Sequence, residues 1–351
     1  MTGFMHRPYS VSFLILSALF VARPALAWDY EGHRMVNQLA LATLPADFPA
    51  FVREPANAER IAFLAGEPDR WRSVADLPLK QYNSVDHYCD LEQLTDAGLD
   101  PATVSPLRYE FAARFAAGRA AHPDKFPALD PAKNADHARE WPGFAPWAIT
   151  EYYAKLKSAF SYLQAFEAAG TPVEIANAQA DIVYLMGVMG HYAGDGAQPL
   201  HTTVHHNGWV GPNPQGYTTS TGIHAWIDGG FIAKAGIKAE DLRPRVVPAE
   251  SIMMAAQPDG RDPMFVAVMA YWRAQQTLVE PLYAMEKAGK FSREKGEAVL
   301  PEGRAFIEAR LLTGAEMLGS LWLTAWKQAG PDIYLRAQLL KRQAAAVPVT
   351  K

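Results

Sequence analysis

Apolar residues recur at three- and four-residue spacing along most of this 351-residue chain, and this periodicity restricts the fold more than any other feature. The segment Thr150–Ala169 shows it well, because its large apolar side chains fall on one helical stripe. Alternation with a period of two, which is typical of strands, is almost absent. We therefore predict an all-α fold made of a single helical domain, with no linker that would divide it.

The same periodicity and the positions of Pro and Gly predict where the helices lie. The predicted helices cover Gly32–Leu44, Ala58–Ala65, Ser105–Ala121, Thr150–Ala169, Pro172–Ala193, Asp262–Ala288 and Pro301–Ala329. The segment Thr202–Gly222 is rich in Gly, Pro, Asn and Thr, and it is predicted to form a long loop.

The first 27 residues have the pattern of an export signal. Met1–Ala27 has a weakly basic start and an apolar stretch at Val11–Ala22. Ala25 and Ala27 are small residues at the two positions that a signal peptidase recognises before its cleavage site. A membrane-spanning helix needs about 20 apolar residues, so this stretch is short for one, although an uncleaved anchor is the alternative. We expect a signal peptide at 1–27, a mature domain at 28–351 with no membrane span, and a secreted or periplasmic location.

Composition excludes several classes of protein. Asp and Glu number 37 against 33 Lys and Arg, which argues against a broad basic face for duplex DNA. Apolar residues make up 49% of the chain, so intrinsic disorder is excluded. The single cysteine, Cys89, permits no intramolecular disulfide. An exported protein of this kind must be stabilised by its core or by bound metal.

Histidine and aspartate residues recur at spacings that suit metal binding. His191 and Asp195 are one helical turn apart, His224 and Asp228 repeat that spacing, and His201 lies between the two pairs. A single pair of this kind is more often an ordinary surface or core contact than a metal site. Two pairs with a third histidine between them favour metal, and zinc prefers imidazole nitrogen and carboxylate oxygen.

Cleavage after Ala27 would make Trp28 the first residue of the mature chain. Its free α-amine would have a pKa near 8, so a metal ion could displace the proton and chelate the amine with the adjacent carbonyl. His33 follows five residues later and could contribute to the same site.

Several of these segments resemble motifs of one superfamily, the zinc-dependent S1/P1 nucleases and phospholipases C, which are all-helical secreted phosphodiesterases. The motifs are Trp28–His33, Ala65–Asp69, His87–Asp90, His191–His201 and His224–Asp228. The string His-x-x-x-Asp-x-x-Gln-Pro-Leu-His within His191–His201 is the most specific of them. The resemblance spans the chain from Trp28 to Asp228 and implies a fold of the phospholipase C/P1 nuclease type.

The resemblance implies three zinc ions as cofactors, each with its own ligand set. The first ion would be bound by Asp69, His87, His191 and Asp195. The second would be bound by the α-amine and carbonyl of Trp28, by His33 and by a bridging Asp195. The third would be bound by His201, His224 and Asp228.

The resemblance also implies roles in catalysis and substrate binding. Asp69, Arg72 and Asp195 would be catalytic, with Arg72 meeting the phosphate, while Tyr88 and Asp90 would bind a base by stacking and hydrogen bonding. Three divalent ions outweigh the charge of their aspartate ligands, so the pocket would be cationic although the protein is acidic. Asp29 and Glu31 are candidates to adjust the second ion from outside its ligand shell.

Within the superfamily, the residues favour the nuclease branch. The last ligand is Asp228 rather than the glutamate of phospholipase C, and the interval from His201 to His224 is long, although Thr202–Gly222 lacks the Gly-Gly-Asn element usual in nucleases. We predict an endonuclease, and possible 3′-nucleotidase, that hydrolyses single-stranded nucleic acid or nucleotides by metal-activated water. The alternatives are a zinc-dependent phospholipase C and a non-catalytic helical protein with structural zinc. No feature of the sequence indicates a stable protein partner.

Three further side chains that resemble ligands by type receive ordinary interpretations. His205 and His206 are predicted to be loop residues near the mouth of the site. Cys89 is predicted to be a small buried apolar residue.

Overall fold

The computed structural model describes residues 28–346, and within this range every regular element is a helix. The all-α prediction is therefore confirmed. The predicted signal peptide at 1–27 lies outside the described residues, as do 347–351. The first eight helices are α1 Tyr30–Thr43, α2 Pro55–Leu64, α3 Glu67–Arg72, α4 Leu77–Ser84, α5 Leu91–Asp96, α6 Arg108–Ala121, α7 Ala145–Ala169 and α8 Pro172–Asp195. The next seven are α9 Ile223–Ala225, α10 Phe231–Ala235, α11 Ala239–Leu242, α12 Pro263–Gln276, α13 Val279–Lys287, α14 Pro301–Gln328 and α15 Ile333–Ala346.

Helix α8 is central to the fold, and its sequence accounts for both its start and its packing. Thr171 and Glu174 form a capping box at its N-terminus, where Pro172 needs no hydrogen-bond partner.

Further along α8, Gly190 leaves room for Asn37 of α1, because a Cβ atom at Gly190 would lie only 1.7 Å from the Asn37 side-chain oxygen. Asn37 in turn donates hydrogen bonds to the carbonyls of Ile61 and Gly187, at 2.8 and 3.0 Å. Helices α1, α2 and α8 therefore lie close together at the level of the site.

Most of the long predicted helices lie close to where the periodicity placed them, although α7 begins five residues and α2 three residues before the predicted start, and α15 was not predicted. Two further predictions need correction. The helix predicted over Asp262–Ala288 is interrupted between Gln276 and Val279. Pro281 has no N–H group to donate to the carbonyl four residues earlier, at Thr277, and its ring crowds that carbonyl, which favours a break at this point.

The second correction concerns the helix predicted over Ser105–Ala121, which begins three residues later, at Arg108. Ser105 does not cap it. Its hydroxyl accepts the N–H of Leu107 at 3.2 Å and donates to Glu110 at 2.8 Å instead. The serine thus stabilises a turn that precedes the helix.

The helices pack around one large apolar core that includes Trp28, Trp147, Trp272 and Trp322, all buried. Cys89 is also buried, as predicted. Helix α15 packs on α7 through a small separate cluster of Ala165, Ala169 and Leu339. Among residues 28–346, no helix is both long enough and apolar enough to cross a membrane.

Candidate metal centre

The last turn of α8 carries the central aspartate of the site. His191 and Asp195 lie on the same face of the helix and are fully buried, with 3.3 Å between His191 Nε2 and Asp195 Oδ2. His33 of α1 approaches the other carboxylate oxygen, and its Nε2 lies 3.4 Å from Asp195 Oδ1. When a zinc ion joins a histidine nitrogen to a carboxylate oxygen, those two atoms lie about 3.4 Å apart. The separations around Asp195 therefore fit shared metal ligands, and they are long for hydrogen bonds.

Asp69 and His87 approach the same region from two short elements. Asp69 lies on α3, and His87 ends the 3₁₀ turn Val85–His87, with 3.5 Å between His87 Nε2 and Asp69 Oδ1. Arg72, one turn after Asp69, donates from Nε to Asp69 Oδ1 at 2.8 Å. Two overlapping groups of potential ligands result. They are His33 with Asp69 and His191, and His87 with His191 and Asp195.

His201, His224 and Asp228 form the third group, which we call the third cluster. His201 lies on the 3₁₀ turn Pro199–Thr202, and Asp228 lies on the π-helical turn Trp226–Gly230. The Nε2 atom of His224 is 3.0 Å from Asp228 Oδ2 and 2.9 Å from His201 Nε2. Gln198 donates to the other oxygen of Asp228, which fixes the carboxylate in place.

Three of the histidines share an arrangement that prepares them as ligands. The Nδ1 atoms of His87, His191 and His201 each face a backbone carbonyl, namely that of Asn83, Ala65 and His87. A carbonyl only accepts, so each Nδ1 carries a proton, and in the neutral ring Nε2 keeps its lone pair. In metalloproteins, a metal-bound histidine commonly donates its other ring N–H to a backbone carbonyl in this way.

Many of the buried polar atoms that lack a hydrogen-bond partner belong to these groups. They include the Nε2 atoms of His33, His87 and His191, both carboxylate oxygens of Asp195, and Asp228 Oδ2. Leaving so many buried polar atoms unsatisfied would cost about 1–3 kcal/mol for each. The donor set therefore fits metal ions, and these buried clusters could hold them.

Burial and the charge of Arg72 shift the pKa values of three of the clustered groups. Burial first, and the positive charge of Arg72 second, lower the pKa of both His87 and His224 to about 4. Burial acts to raise the pKa of Asp69, but Arg72 and the histidines outweigh it and hold that pKa well below its usual range. His87 and His224 are thus neutral and Asp69 is ionised at pH 7, as metal ligands must be.

Asp228 behaves differently from Asp69, because burial outweighs its histidine neighbours and raises its pKa well above the usual range. A carboxyl group in this position gains most from a bound cation, because the cation stabilises the ionised form.

Trp28, the predicted first residue of the mature chain, lies against the same site. Its side chain is fully buried, and the indole Nε1 donates to the carbonyl of Gly194 at 2.8 Å. The next residue, Asp29, donates its backbone N–H to the carbonyl of Asp228 at 3.2 Å. Trp28 and Asp29 therefore lie between the two ligand-bearing segments. Chelation by the α-amine of Trp28 stays a prediction.

The two predicted base-binding residues lie one and three residues after His87. The Tyr88 hydroxyl donates to the carbonyls of Ala138 and Trp141, at 3.3 and 3.4 Å. Asp90 is buried; one oxygen accepts from Gln93 at 2.7 Å and the other has no partner. Burial first, and the charge of Glu92 second, raise the pKa of Asp90 to about 8. Asp90 is thus protonated at neutral pH and has hydrogen-bonding capacity to spare, while its role with a base stays a prediction.

His206, predicted to be a loop residue near the mouth of the site, lies beside the third cluster. The ring centroid of His206 lies 6.1 Å from that of His224, and burial lowers the pKa of His206 to about 4. The spacing of His206 matches no common ligand pattern, so only its position at the start of the loop could have drawn attention to it.

Comparisons of the chain with protein-family models, with curated proteins and with solved structures found no match. The fold and the site together define an all-α protein with buried histidine and aspartate clusters that could hold metal ions.

Proposed function

We propose that this protein is an exported zinc-dependent phosphodiesterase that hydrolyses single-stranded nucleic acid. The observation that carries the proposal is the environment of Asp195, a fully buried carboxylate with two histidine Nε2 atoms at 3.3 and 3.4 Å and no hydrogen-bond donor. The motif resemblance supplies zinc as the metal and three as the number of ions.

Zinc ions bound here would supply Lewis acidity, which activates water near neutral pH and offsets the charge that develops on a phosphodiester. The chain's own part is to hold the reacting groups in place. Asp195 presents one oxygen to His33 and the other to His191, so a single carboxylate can serve two neighbouring ions.

Arg72 is the residue best placed to bind a phosphate. Its side chain is about one-fifth exposed and forms an ion pair with Asp69. Its charge lowers the pKa of His87, beside Asp69, and of His224, in the third cluster. A guanidinium group offers a planar set of donors that matches phosphate oxygens. Arg72 can therefore orient the phosphate while Asp69 keeps the guanidinium in position.

The preference for single strands rests on Tyr88 and Asp90. An aromatic ring stacks on any base that is free of its complementary strand, so stacking favours unpaired nucleic acid without strict sequence preference. The unpartnered oxygen of protonated Asp90 could bind the edge of such a base.

The proposal is tested with exported, signal-cleaved protein that begins at Trp28. Metal analysis and hydrolysis assays should be run together, with single-stranded DNA, single-stranded RNA, 3′-nucleotides and lecithin vesicles as substrates. We expect three zinc ions per chain and cleavage of the single-stranded nucleic acids. Zinc-loaded protein that leaves every nucleic acid and nucleotide intact would refute the nuclease proposal.

The same panel separates the two alternatives that the sequence left open. Release of phosphocholine from lecithin would indicate a phospholipase C. Full zinc occupancy without any hydrolysis, together with loss of the fold on chelation, would indicate a structural role for the metal.

A further inference from the structure

Arg139 lies next to the residue that is proposed to stack on a base. The Tyr88 hydroxyl donates to the carbonyls of Ala138 and Trp141, at 3.3 and 3.4 Å, and Arg139 directly follows Ala138 in the chain. The Tyr88 side chain is partly exposed, so its ring is accessible while its hydroxyl is held. The Arg139 side chain therefore starts from the backbone that binds the hydroxyl end of the Tyr88 ring.

The turn that carries Arg139 is fixed by side chains of the preceding residues. The backbone N–H of Arg139 donates to Asn134 Oδ1 at 3.0 Å, and that of Ala138 donates to Asp136 Oδ1 at 3.2 Å. Asn134 is buried, and its Nδ2 donates to Glu140 Oε1 at 3.1 Å. The backbone position of Arg139 relative to Tyr88 is thus set by hydrogen bonds at both ends of the turn.

The charge of Arg139 has no partner among residues 28–346. Its side chain is exposed and forms no ion pair or hydrogen bond within that range. The two acids of the turn are engaged elsewhere, since Asp136 Oδ2 lies 3.9 Å from Lys80 Nζ and Glu140 Oε1 lies 2.6 Å from His137 Nδ1. All the guanidinium donors of Arg139 are therefore available to a ligand.

The effects of this charge show that Arg139 faces the site. Burial first, and the charge of Asp90 second, raise the pKa of Tyr88, and the charge of Arg139 opposes them. Burial lowers the pKa of His206 to about 4, and the charge of Arg139 adds to that lowering. Charges at a protein surface interact only over about 10 Å. Arg139 is therefore close both to Tyr88 and to the side of the third cluster where His206 lies.

We infer that Arg139 binds the phosphate of a nucleotide next to the one whose bond is cleaved, so that the protein prefers a strand to a single nucleotide. The inference rests on the proposed function, because it needs a strand bound at Tyr88. Arg72 forms an ion pair with Asp69 and is the candidate for the reacting phosphate. Arg139, at the hydroxyl end of Tyr88, is left for a phosphate further along the strand. Its planar donors match phosphate oxygens.

The test compares two substrates of the zinc-loaded mature protein. One is a thymidine dinucleotide, in which the reacting phosphate has no neighbour, and the other is a longer oligo(dT). Arg139→Gln should raise KM for the oligonucleotide roughly tenfold at low salt and leave kcat unchanged, because the lost contact is made equally in the ground and transition states. Its KM for the dinucleotide should change by less than about twofold.

The salt dependence of KM distinguishes a phosphate contact from a structural effect. Losing one phosphate contact on a single strand should reduce the slope of log KM against log salt concentration by about 0.7. Arg139→Lys keeps the charge and should keep the wild-type slope. Arg336→Gln is the matched control, because Arg336 is also exposed, has no ion pair among residues 28–346 and lies on α15, which packs on α7.

Each outcome has a distinct meaning. If Arg139→Gln raises KM equally for both substrates, or leaves the salt slope unchanged, the inference is wrong and the proposed function stands. An equal loss of slope in Arg336→Gln would show a general effect of net charge and would also overturn the inference. Zinc-loaded wild-type protein that hydrolyses neither substrate would overturn both the inference and the proposed function.

Discussion

The Nε2 atoms of His201 and His224 lie 2.9 Å apart at the third cluster. His201 donates its Nδ1 proton to the carbonyl of His87, so its Nε2 carries a lone pair directed at the other ring. Asp228 Oδ2 lies 3.0 Å from the same His224 nitrogen. Three electron-rich atoms at these separations repel one another unless a proton or a cation lies among them, and a divalent ion satisfies all three.

Asp195→Asn should impair the protein more than Asp228→Asn. In the proposed arrangement Asp195 would serve two ions, because its two oxygens lie beside His33 and His191, whereas Asp228 would serve one. We expect Asp195→Asn to lower phosphodiesterase kcat by at least about 100-fold and to reduce zinc content, measured by steady-state kinetics and metal analysis. Asp181→Asn, at an exposed position of the same helix, is the control and should match wild type. Full zinc content in Asp195→Asn would contradict the bridging role.

A glycine added before Trp28 should remove metal from the region of Asp195. The added residue converts the α-amine into an amide, which is a poor ligand, while the Trp28 side chain can stay buried beside Gly194. Zinc content should fall by about one ion per chain and activity should fall with it. A glycine added after Lys351 serves as the control. If the extended protein binds as much zinc as wild type, the chelating amine is ruled out.

Asp90→Asn should stabilise the protein, and the gain should grow with pH. Burial raises the pKa of Asp90 to about 8 in the folded state, against about 3.9 in an unfolded chain. The unfolded chain therefore loses this proton at lower pH than the folded protein, and the wild type loses stability as pH rises from about 4 to about 8. Asparagine can accept the same hydrogen bond from Gln93 without carrying a charge.

The expected gain from Asp90→Asn is on the order of 2–4 kcal/mol at pH 7, measured by urea unfolding of metal-free protein at several pH values. Wild-type protein measured at the same pH values is the reference for this difference. An equal effect of Asp90→Asn at pH 4.5 and pH 8 would contradict the raised pKa.

Gly190→Ala should destabilise the fold and disturb the site. The new Cβ would lie 1.7 Å from the Asn37 side-chain oxygen, so α1, which carries His33, has to move away from α8. Overpacking of this kind costs about 1–3 kcal/mol, which should appear as a lower urea midpoint and weaker zinc binding. Gly330→Ala, where a Cβ meets nothing within 4 Å, is the control. Unchanged stability in Gly190→Ala would contradict the close packing of the two helices.

The sequence predicts most of the long helices well because their apolar stripes are strong, but it misses the 14-residue α15. It does not predict α3, α4 or α5, because helices of six to eight residues are too short to show a period. These short helices lie at or beside Asp69, His87 and Asp90, so the site depends on elements that are difficult to recognise from sequence. Their positions are determined by tertiary contacts instead, such as the hydrogen bond from Cys89 N–H to the carbonyl of His201 at 3.0 Å.

The candidate ligands themselves could be predicted, because each motif combines a ligand type with a fixed spacing. The structure brings all the predicted side-chain ligands into three buried groups. It also places Asp69 with His33 and His191, a grouping that the spacing alone did not indicate. The orientation of His206 could not be predicted either, since two adjacent loop histidines turn in opposite directions only because of contacts made elsewhere in the fold.

The central claim is that these clusters bind zinc, and anomalous X-ray diffraction at the zinc absorption edge from crystals of the mature protein tests it most directly. We predict two peaks beside Asp195 and one among His201, His224 and Asp228. Crystals grown with zinc that show no peak at these residues, or peaks only at surface sites, would contradict the claim.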